Sequence, residues 1–342
     1  MSERVLSATT DPRVYDRGDV RLTRRELMLA LSALALTPMR GAAQSGAPSI
    51  PVRTLNHVHL NVSDLRRSVE FYQSLFGMRL QGDQGVEADW SRGVVPILGI
   101  GDGPHFISFA ERADPGPRGR IDHLGFGMEQ FDADAVASTL AAHGIEATIR
   151  IRADSNPPVP ELKFNDPDGV ILQIQDVSYC GGSGALGSIC PSQPASASSP
   201  IPARSLNHVH LPVADVPRSR AFYRRVLGMR TQAEQGIESD WTTPIIFMLG
   251  IGSGPAFISF SPGQRTGVID HFCFGVEDFN AEQVAEILVE HGFEPNIRMR
   301  ADSTPPVPEL KFNDPDGIIV QIQDVSYCGG SGVLGDACAP LG

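Results

Sequence analysis

The sequence contains itself twice, and no other feature restricts its fold as strongly. The run Leu55-Asn56-His57-Val58-His59-Leu60 returns as Leu206-Asn207-His208-Val209-His210-Leu211, and Glu87, Asp89 and Trp90 return as Glu238, Asp240 and Trp241, all 151 positions later. Beyond a shortened loop the offset becomes 148, which carries Asp122-His123 onto Asp270-His271 and the run from Pro160 to Gly169 onto residues 308–317. Each copy is large enough to own a core, so the repeat marks duplication of a whole domain, and two hydrophobic cores are expected. Residues 191–204, rich in Ser, Ala and Pro, read as the linker between domains at 53–190 and 205–338.

Each copy divides again into similar halves. Along 55–62 the residues Val58, Leu60 and Val62 alternate with His57, His59 and Asn61, the pattern of a strand with one apolar face. Asp64 suits a helix N-cap, Leu65, Val69, Tyr72 and Phe76 recur at helical spacing, and Gly77 fits the C′ position. Short strands are expected around Met78–Gln81, Val94–Gly99 and Phe106–Phe109. The order then recurs: a strand over 121–128, a helix from a cap at Asp132 to Gly144, strands near 148–152 and 161–164, an Asn165-Asp166-Pro167-Asp168-Gly169 turn, and a strand over 170–176. The unit is βαβββ, used four times. The 35 glycines and 27 prolines agree with many turns and short strands.

The N-terminal region has a different grammar. Arg24-Arg25 precedes an apolar run from Leu27 to Leu36, and Gly41-Ala42-Ala43 follows it. The run is about half the length a bilayer span requires, so it is not a stable membrane helix. Basic, apolar and small-residue regions in that order read as an export signal over residues 1–43 of the twin-arginine type, with a periplasmic or extracellular destination and the twin-arginine export machinery as a partner. The formal net charge of −12, without a long basic run, disfavours nucleic-acid binding. Cys180 and Cys190 bracket nine residues, and Cys328 and Cys338 bracket a near copy of them. That spacing matches no standard zinc motif and suits two short disulfide loops in an oxidising compartment. Cys273 is left over inside a strand-like run, where a free thiol acts as a small buried hydrophobe. No glycine-rich phosphate loop, nucleophile elbow or Cys-x-x-Cys pair is present.

The paired βαβββ units, the opening Asn-His-Val-His-Leu-Asn-Val-Ser-Asp, the Phe71-Tyr72 and Leu75-Phe76-Gly77-Met78 behind it, and the Asp-Pro-Asp-Gly turn before the last strand resemble the vicinal oxygen chelate superfamily of glyoxalases, extradiol dioxygenases and bleomycin-resistance proteins. The resemblance implies an α+β chain of tandem domains, each built of two βαβββ modules that form a curved mixed-sheet cup. Carried over residue by residue, it implies metal ligands at His57, His123 and Gln173 in the first copy and at His208, His271 and Gln321 in the second. The family pattern has a glutamate at the last position, and this chain has glutamine in both copies. The implied cofactor is a divalent metal, Fe(II) first, with Mn(II), Zn(II) or Cu(II) as alternatives, because two imidazoles and one oxygen donor resemble the facial arrangement of non-haem iron.

Alternation also places His59 beside His57 and His210 beside His208, where an imidazole can act as acid or base. The chain's two lysines, Lys163 and Lys311, hold matching places, each two residues from a glutamate, Glu161 or Glu309. The lysines are candidates for holding an anionic substrate, and the glutamates are alternative carboxylate ligands. Glu87, Asp89 and their repeats are further carboxylate candidates or loop anchors. The leading expectation is an exported dioxygenase acting on a small aromatic or enol substrate held through adjacent oxygens. The alternatives are a metal-free sequestering cup of the bleomycin-resistance kind and a lyase or isomerase of the same fold. The copies differ where His105 becomes Ala256 and Gly125 becomes Cys273. Nothing in the sequence reports the oligomeric state.

Overall fold

The structure, a computed structural model, describes residues 49–84, 95–114, 116, 119–152, 159–181, 199–235, 246–300 and 307–329. The export-signal reading over 1–43, the Glu87/Asp89/Trp90 motif and its repeat, and Cys190 and Cys338 all lie outside the described residues. The four expected βαβββ units are present. The first is β1 (Val52–Val62), α1 (Leu65–Phe76), β2 (Arg79–Gln84), β3 (Val95–Gly99) and β4 (Phe106–Glu111), and the second is β5 (Ile121–Met128), α2 (Ala133–Ala142), β6 (Ala147–Arg152), β7 (Val159–Asn165) and β8 (Ile171–Asp176). The second domain follows the same order: β9 (Ala203–Val213), α3 (Val216–Leu227), β10 (Arg230–Gln235), β11 (Ile246–Gly250), β12 (Phe257–Pro262), β13 (His271–Val276), α4 (Ala281–Glu290), β14 (Asn296–Arg300), β15 (Val307–Asn313) and β16 (Ile319–Asp324). β9 starts at Ala203, so the last two residues of the segment read as linker belong to a strand.

The local signals act as written. Asp64 accepts from the Arg67 N–H at the start of α1, and Gly77 ends that helix with φ 65°, the left-handed conformation that glycine adopts without strain. Asp215 and Gly228 do the same for α3. Each domain forms one eight-stranded mixed sheet, in the orders β2-β3-β4-β1-β5-β8-β7-β6 and β10-β11-β12-β9-β13-β16-β15-β14. The two modules of a domain join at the antiparallel β1–β5 and β9–β13 pairs.

The expectation of two separate cores is corrected by the packing. One continuous apolar cluster runs from Ile50 to Ile322 and takes residues from both domains. The reason lies in α1, whose aromatics do not all serve its own sheet. Phe71 meets Phe293 and Phe312 of the other domain, and Phe76 meets Phe274 at 5.0 Å between ring centroids. Two smaller aromatic clusters lie apart from this core: Ile97, Phe106, Val159 and Tyr179 in the first domain, and Ala233, Met248, Phe257, Val307 and Tyr327 in the second.

Polar bonds across the shared core are reciprocal. Tyr72 donates to Asp314 (2.8 Å) and Tyr223 to Asp166 (2.9 Å), all four side chains being buried. Asp316 accepts from the backbone and hydroxyl of Ser63 and from Ser68, and pairs with Arg67 at 3.1 Å. Asp168 accepts from the backbone of Ala214 and from Ser219, and pairs with Arg218 at 2.8 Å. The Asp-Pro-Asp-Gly turns therefore clamp each domain to the start of the other's leading helix. No helix among the described residues is long and apolar enough to cross a membrane.

Candidate metal centre

One β-bulge builds each site. In β1 the pairing to β5 slips between Leu55 and His57, and Asn56 is the extra residue. The slip lets Leu55 and Val58 both face the core while His57 faces the cup. The bulged side chain is then used twice: Asn56 Nδ2 donates to the Tyr179 carbonyl (2.8 Å), and Oδ1 lies 2.9 Å from His57 Nδ1. A carbonyl can only accept, so the Asn56 amide nitrogen is fixed on Tyr179 and its oxygen faces the ring. That orientation puts the imidazole proton on Nδ1 and leaves the Nε2 lone pair free for the cup. Asn207 repeats both bonds with Tyr327 and His208.

The neighbouring strand sets its imidazole in the same way. His123 Nδ1 lies 2.8 Å from Asp122 Oδ2, and His271 Nδ1 lies 2.7 Å from Asp270 Oδ2. A carboxylate accepts, so these rings too carry their proton on Nδ1. A ligating histidine is commonly anchored in this way, by its other nitrogen to an oxygen. His57 and His123 sit 5.5 Å apart between ring centroids at 90°, and His208 and His271 sit 5.7 Å apart at 82°. The amide of Gln173 lies beside both His57 and His123 and favours their charged forms, and that of Gln321 does the same for His208 and His271. The two predicted ligand triads are therefore each brought together.

Register explains the convergence. In the first domain a row crosses six strands: Phe106, His57, Gly125, Gln173, Lys163 and Thr148. In the second it reads Phe257, His208, Cys273, Gln321, Lys311 and Asn296. Phe106 stacks on His57 at 4.5 Å and Phe257 on His208 at 4.4 Å. Lys163 reaches across to the neighbouring row, where its Nζ lies 3.2 Å from His123 Nε2. Glu161 and Glu309 fall on neighbouring rows, opposite Arg150 and Arg298. A cavity of about 430 Å³ opens beside this edge, lined in part by Thr148, Arg150, Glu161, Lys163, Asn165 and Ile171.

His59 and His210 occupy the next row. Both stack on the second imidazole of their cup, at 4.9 Å from His123 and 5.0 Å from His271. His59 Nδ1 bonds Ser108 (2.8 Å), whereas His210 bonds Ser259 through Nδ1 and Ser261 through Nε2, both at 2.9 Å. Burial is the first cause that holds every one of these rings below the ordinary imidazole range. His57, His59, His208 and His271 are well below it, His123 is below it, and His210 is at about 3. Burial also lowers Lys163 and Lys311, against the opposing charges of Glu161 and Glu309. The hydrogen bond from His123 holds Asp122 well below the usual carboxylate range. Six neutral imidazoles are the state in which a ring nitrogen can bind a metal.

The residues fit a divalent ion through two imidazole Nε2 atoms and a carboxamide oxygen, a donor set that borderline first-row metals accept. Among the described residues no three His, Cys, Asp or Glu side chains meet as a metal site, so a third donor would have to come from the amide. The anchoring residues Asn56, Asp122, Asn207 and Asp270 were not identified from sequence as functional, although each directly precedes its histidine. Cys273 is a free buried thiol whose pKa burial pushes up, and it pairs in register with both His208 and Gln321. Cys180 and Cys328 are disulfide-bonded.

Known proteins resemble the chain over these same elements. The family model described as Glyoxalase/Bleomycin resistance protein/Dioxygenase superfamily matches residues 54–174 and again 205–322. No curated protein matches the sequence directly. Among solved structures, a 2,3-dioxygenase from a Pseudomonas species aligns with TM-score 0.62 at 17% identity, over 82% of this chain and 94% of that one. A variant of homoprotocatechuate 2,3-dioxygenase from Brevibacterium fuscum gives 0.63 at 17%, over 83% and 74%. A Mn(II)-bound glyoxalase from Novosphingobium aromaticivorans gives 0.59 at 16%, over 81% and 83%. At these identities the structural likeness establishes the fold.

Proposed function

The chain belongs to the Glyoxalase/Bleomycin resistance protein/Dioxygenase superfamily, and from that premise we propose that it is an exported metal-dependent enzyme, a non-haem dioxygenase acting on a small aromatic or enol substrate. The observation that carries the reading is the pair of anchored imidazoles in each cup, each with its Nδ1 committed to an oxygen acceptor, which leaves Nε2 as the ligating nitrogen. His57, His123 and Gln173 would hold a divalent ion in the first cup, and His208, His271 and Gln321 in the second. Such an ion would supply Lewis acidity, stabilising negative charge that develops on substrate oxygens.

The remaining work belongs to the chain's own side chains. Phe106 and Phe257 fix the first imidazole of each cup by stacking. His59 and His210, half-buried and neutral, would accept a proton from a substrate hydroxyl. The neighbouring Lys163 and Lys311 offer N–H donors to an anionic oxygen. Dioxygenases and a Mn(II)-bound glyoxalase among the structural neighbours support the reaction class and a divalent metal. Export rests on Arg24-Arg25 and the run behind it, and pairing of Cys180 with Cys190 and of Cys328 with Cys338 follows from their spacing. N-terminal sequencing and non-reducing peptide mapping of the secreted protein test these two.

The central experiment is metal analysis of protein purified from its native compartment, followed by oxygen uptake with catechols after adding Fe(II), Mn(II), Zn(II) or Cu(II). One of these ions is expected at up to two per chain and to support turnover. Metal-free protein that none of them activates removes the reading. The glutamines at 173 and 321 would then favour a sequestering cup, because an amide does not neutralise the charge of a bound cation as the family's glutamate does.

A further inference from the structure

The leading helices of the two domains, α1 and α3, agree along one face and differ along the next. Their packed residues correspond, Ser68 with Ser219, Phe71 with Phe222 and Tyr72 with Tyr223. The adjoining stripe, at helical spacing, differs at every position: Arg66, Val69, Glu70, Gln73 and Ser74 of α1 are Pro217, Arg220, Ala221, Arg224 and Arg225 in α3. In α1 the stripe is neutral, and Arg66 and Glu70 pair at 2.7 Å. In α3 it carries three arginines and no acid, within a chain whose net charge is −12.

The difference continues into the sheet beneath. The guanidinium of Arg220 lies 4.4 Å from the centroid of the buried Phe247 ring, and Phe247 stands where the first domain has Pro96. Arginine and ring differ from Val69 and Pro96 together, and the aromatic face seats the guanidinium. Ala221, in the place of Glu70, removes the acid and leaves space. An open cavity of about 560 Å³ results, lined by Pro217, Arg220, Ala221, Arg224, Arg225 and Met229. Arg224 and Arg225 are exposed, and no ion pair among the described residues includes them, whereas Arg218 is committed to Asp168. Cations in a last turn also favour the helix dipole. That does not account for them, because α1 reaches the same glycine cap with Gln73 and Ser74.

The cavity lies on the helix side of the sheet. Phe247 packs in the shared core, while its neighbour Met248 packs with Phe257 on the side of the second cup. We propose that this groove is a second binding site, separate from the cups, for a phosphate ester whose phosphate is held by Arg220, Arg224 and Arg225. Guanidinium forks match phosphate oxygens in bidentate, charge-assisted hydrogen bonds, and the stacked Arg220 is already oriented to make them. A bare phosphate would leave much of the groove unfilled, since cavities of this size take ligands of several hundred Å³. The ester's organic part has the carbons of Pro217, Ala221 and Met229 to lie against.

Calorimetric titration of the full chain with glycerol phosphate, and flotation with phosphatidylglycerol vesicles, test the site and separate the two sources of such an ester. Wild type is expected to bind one glycerol phosphate per chain; binding to vesicles alone would assign the phosphate to a lipid headgroup. Arg224→Gln with Arg225→Ser installs the residues that α1 carries at these places. It should weaken binding about tenfold or more, as loss of hydrogen bonds to a charged group does, and leave the denaturant midpoint unchanged. If that variant does not fold, Ala221→Glu restores the acid of α1 and should weaken binding likewise. Arg53→Gln with Arg66→Gln removes the same charge from the first domain and should leave binding as it was. The proposal is overturned if neither probe binds at millimolar concentration, or if the variants in the two domains lose binding equally, which would make the attraction one of net charge.

Discussion

The row that crosses the first cup and the row that crosses the second share Phe, His, Gln and Lys at matching strand positions and part at the centre, where the first has Gly125 and the second Cys273. A Cβ at 125 would overlap the His57 ring, so the first imidazole depends on the missing side chain there. The second cup carries a Cβ and a thiol at that point and keeps its imidazole stacked on Phe257 nonetheless. A second difference lies one row away. His210 is held by two serines, whereas His59 is held by Ser108 alone and Ala110 stands where Ser261 would be. Duplication has therefore kept the two His/His/Gln triads and let their surroundings diverge. The copies are two related sites rather than one site used twice.

The largest effect should come from the triads themselves. His123→Ala is expected to remove the metal of the first cup and leave the second loaded, His271→Ala to do the reverse, and the double variant to bind none and lose turnover. Metal content per chain and oxygen uptake decide it. Equal metal content in both single variants and wild type would break the assignment of these histidines. Unequal loss of turnover between the two single variants would show which cup works.

The next effect concerns the clamps, where the copies are alike. Burial pushes the carboxyls of Asp166 and Asp314 up to about 6, against the backbone and tyrosine donors that favour their charge. Between about pH 4 and 6 the native state keeps protons that the unfolded chain has released. Stability from these groups is thus fully present below that window and falls as pH rises through it, by about 3 kcal/mol per carboxyl. The six imidazoles of the cups act in the opposite sense, since rings held below their ordinary range lose stability as pH falls. Comparison with Asp166→Asn and Asp314→Asn isolates the carboxyl. Urea melts from pH 4 to 7 should show each variant losing the same share of the decline, and unequal shares would break the symmetry of the clamps.

Much of this was legible from periodicity. Alternation along 55–62 placed His57 and His59 on one face, and Asp64 and Gly77 bounded α1 because caps are local chemistry. What stayed hidden is what depends on long-range register. The bulge at Asn56 is invisible in a run that alternates well enough without it, and the row from His57 to Lys163 exists only once four strands are paired. The single core was missed for a similar reason. Helical spacing shows that Phe71 and Phe76 are apolar, and cannot show that their partners sit more than 190 residues away at Phe274, Phe293 and Phe312.

Exchanging the central residues sharpens the comparison of the two rows. Gly125→Cys should force the His57 ring from its place on Phe106 and cost about 1–3 kcal/mol, as overpacking in a closed site does. Cys273→Gly removes a buried thiol without displacing a ring, so its cost should be smaller, about 1 kcal/mol for glycine within a strand. Denaturant midpoints, with the metal affinity of the altered cup, report both. A Gly125→Cys variant with unchanged affinity would mean that the first cup tolerates the second cup's chemistry.

The smallest expected effect separates the two acid-base candidates. Ser261 gives His210 a second hydroxyl at Nε2, so Ser261→Ala should cost only about 1 kcal/mol, the net worth of one hydrogen bond. Ala110→Ser offers His59 the matching group. If the first cup transfers protons through the His59 Nε2, that serine should slow turnover severalfold with little change in stability. Ser261→Ala should raise any turnover in the second cup by freeing the same nitrogen. The two substitutions are opposite in sense on a nearly constant fold, so turnover that moves the same way in both would show that the serine acts on packing and not on the imidazole.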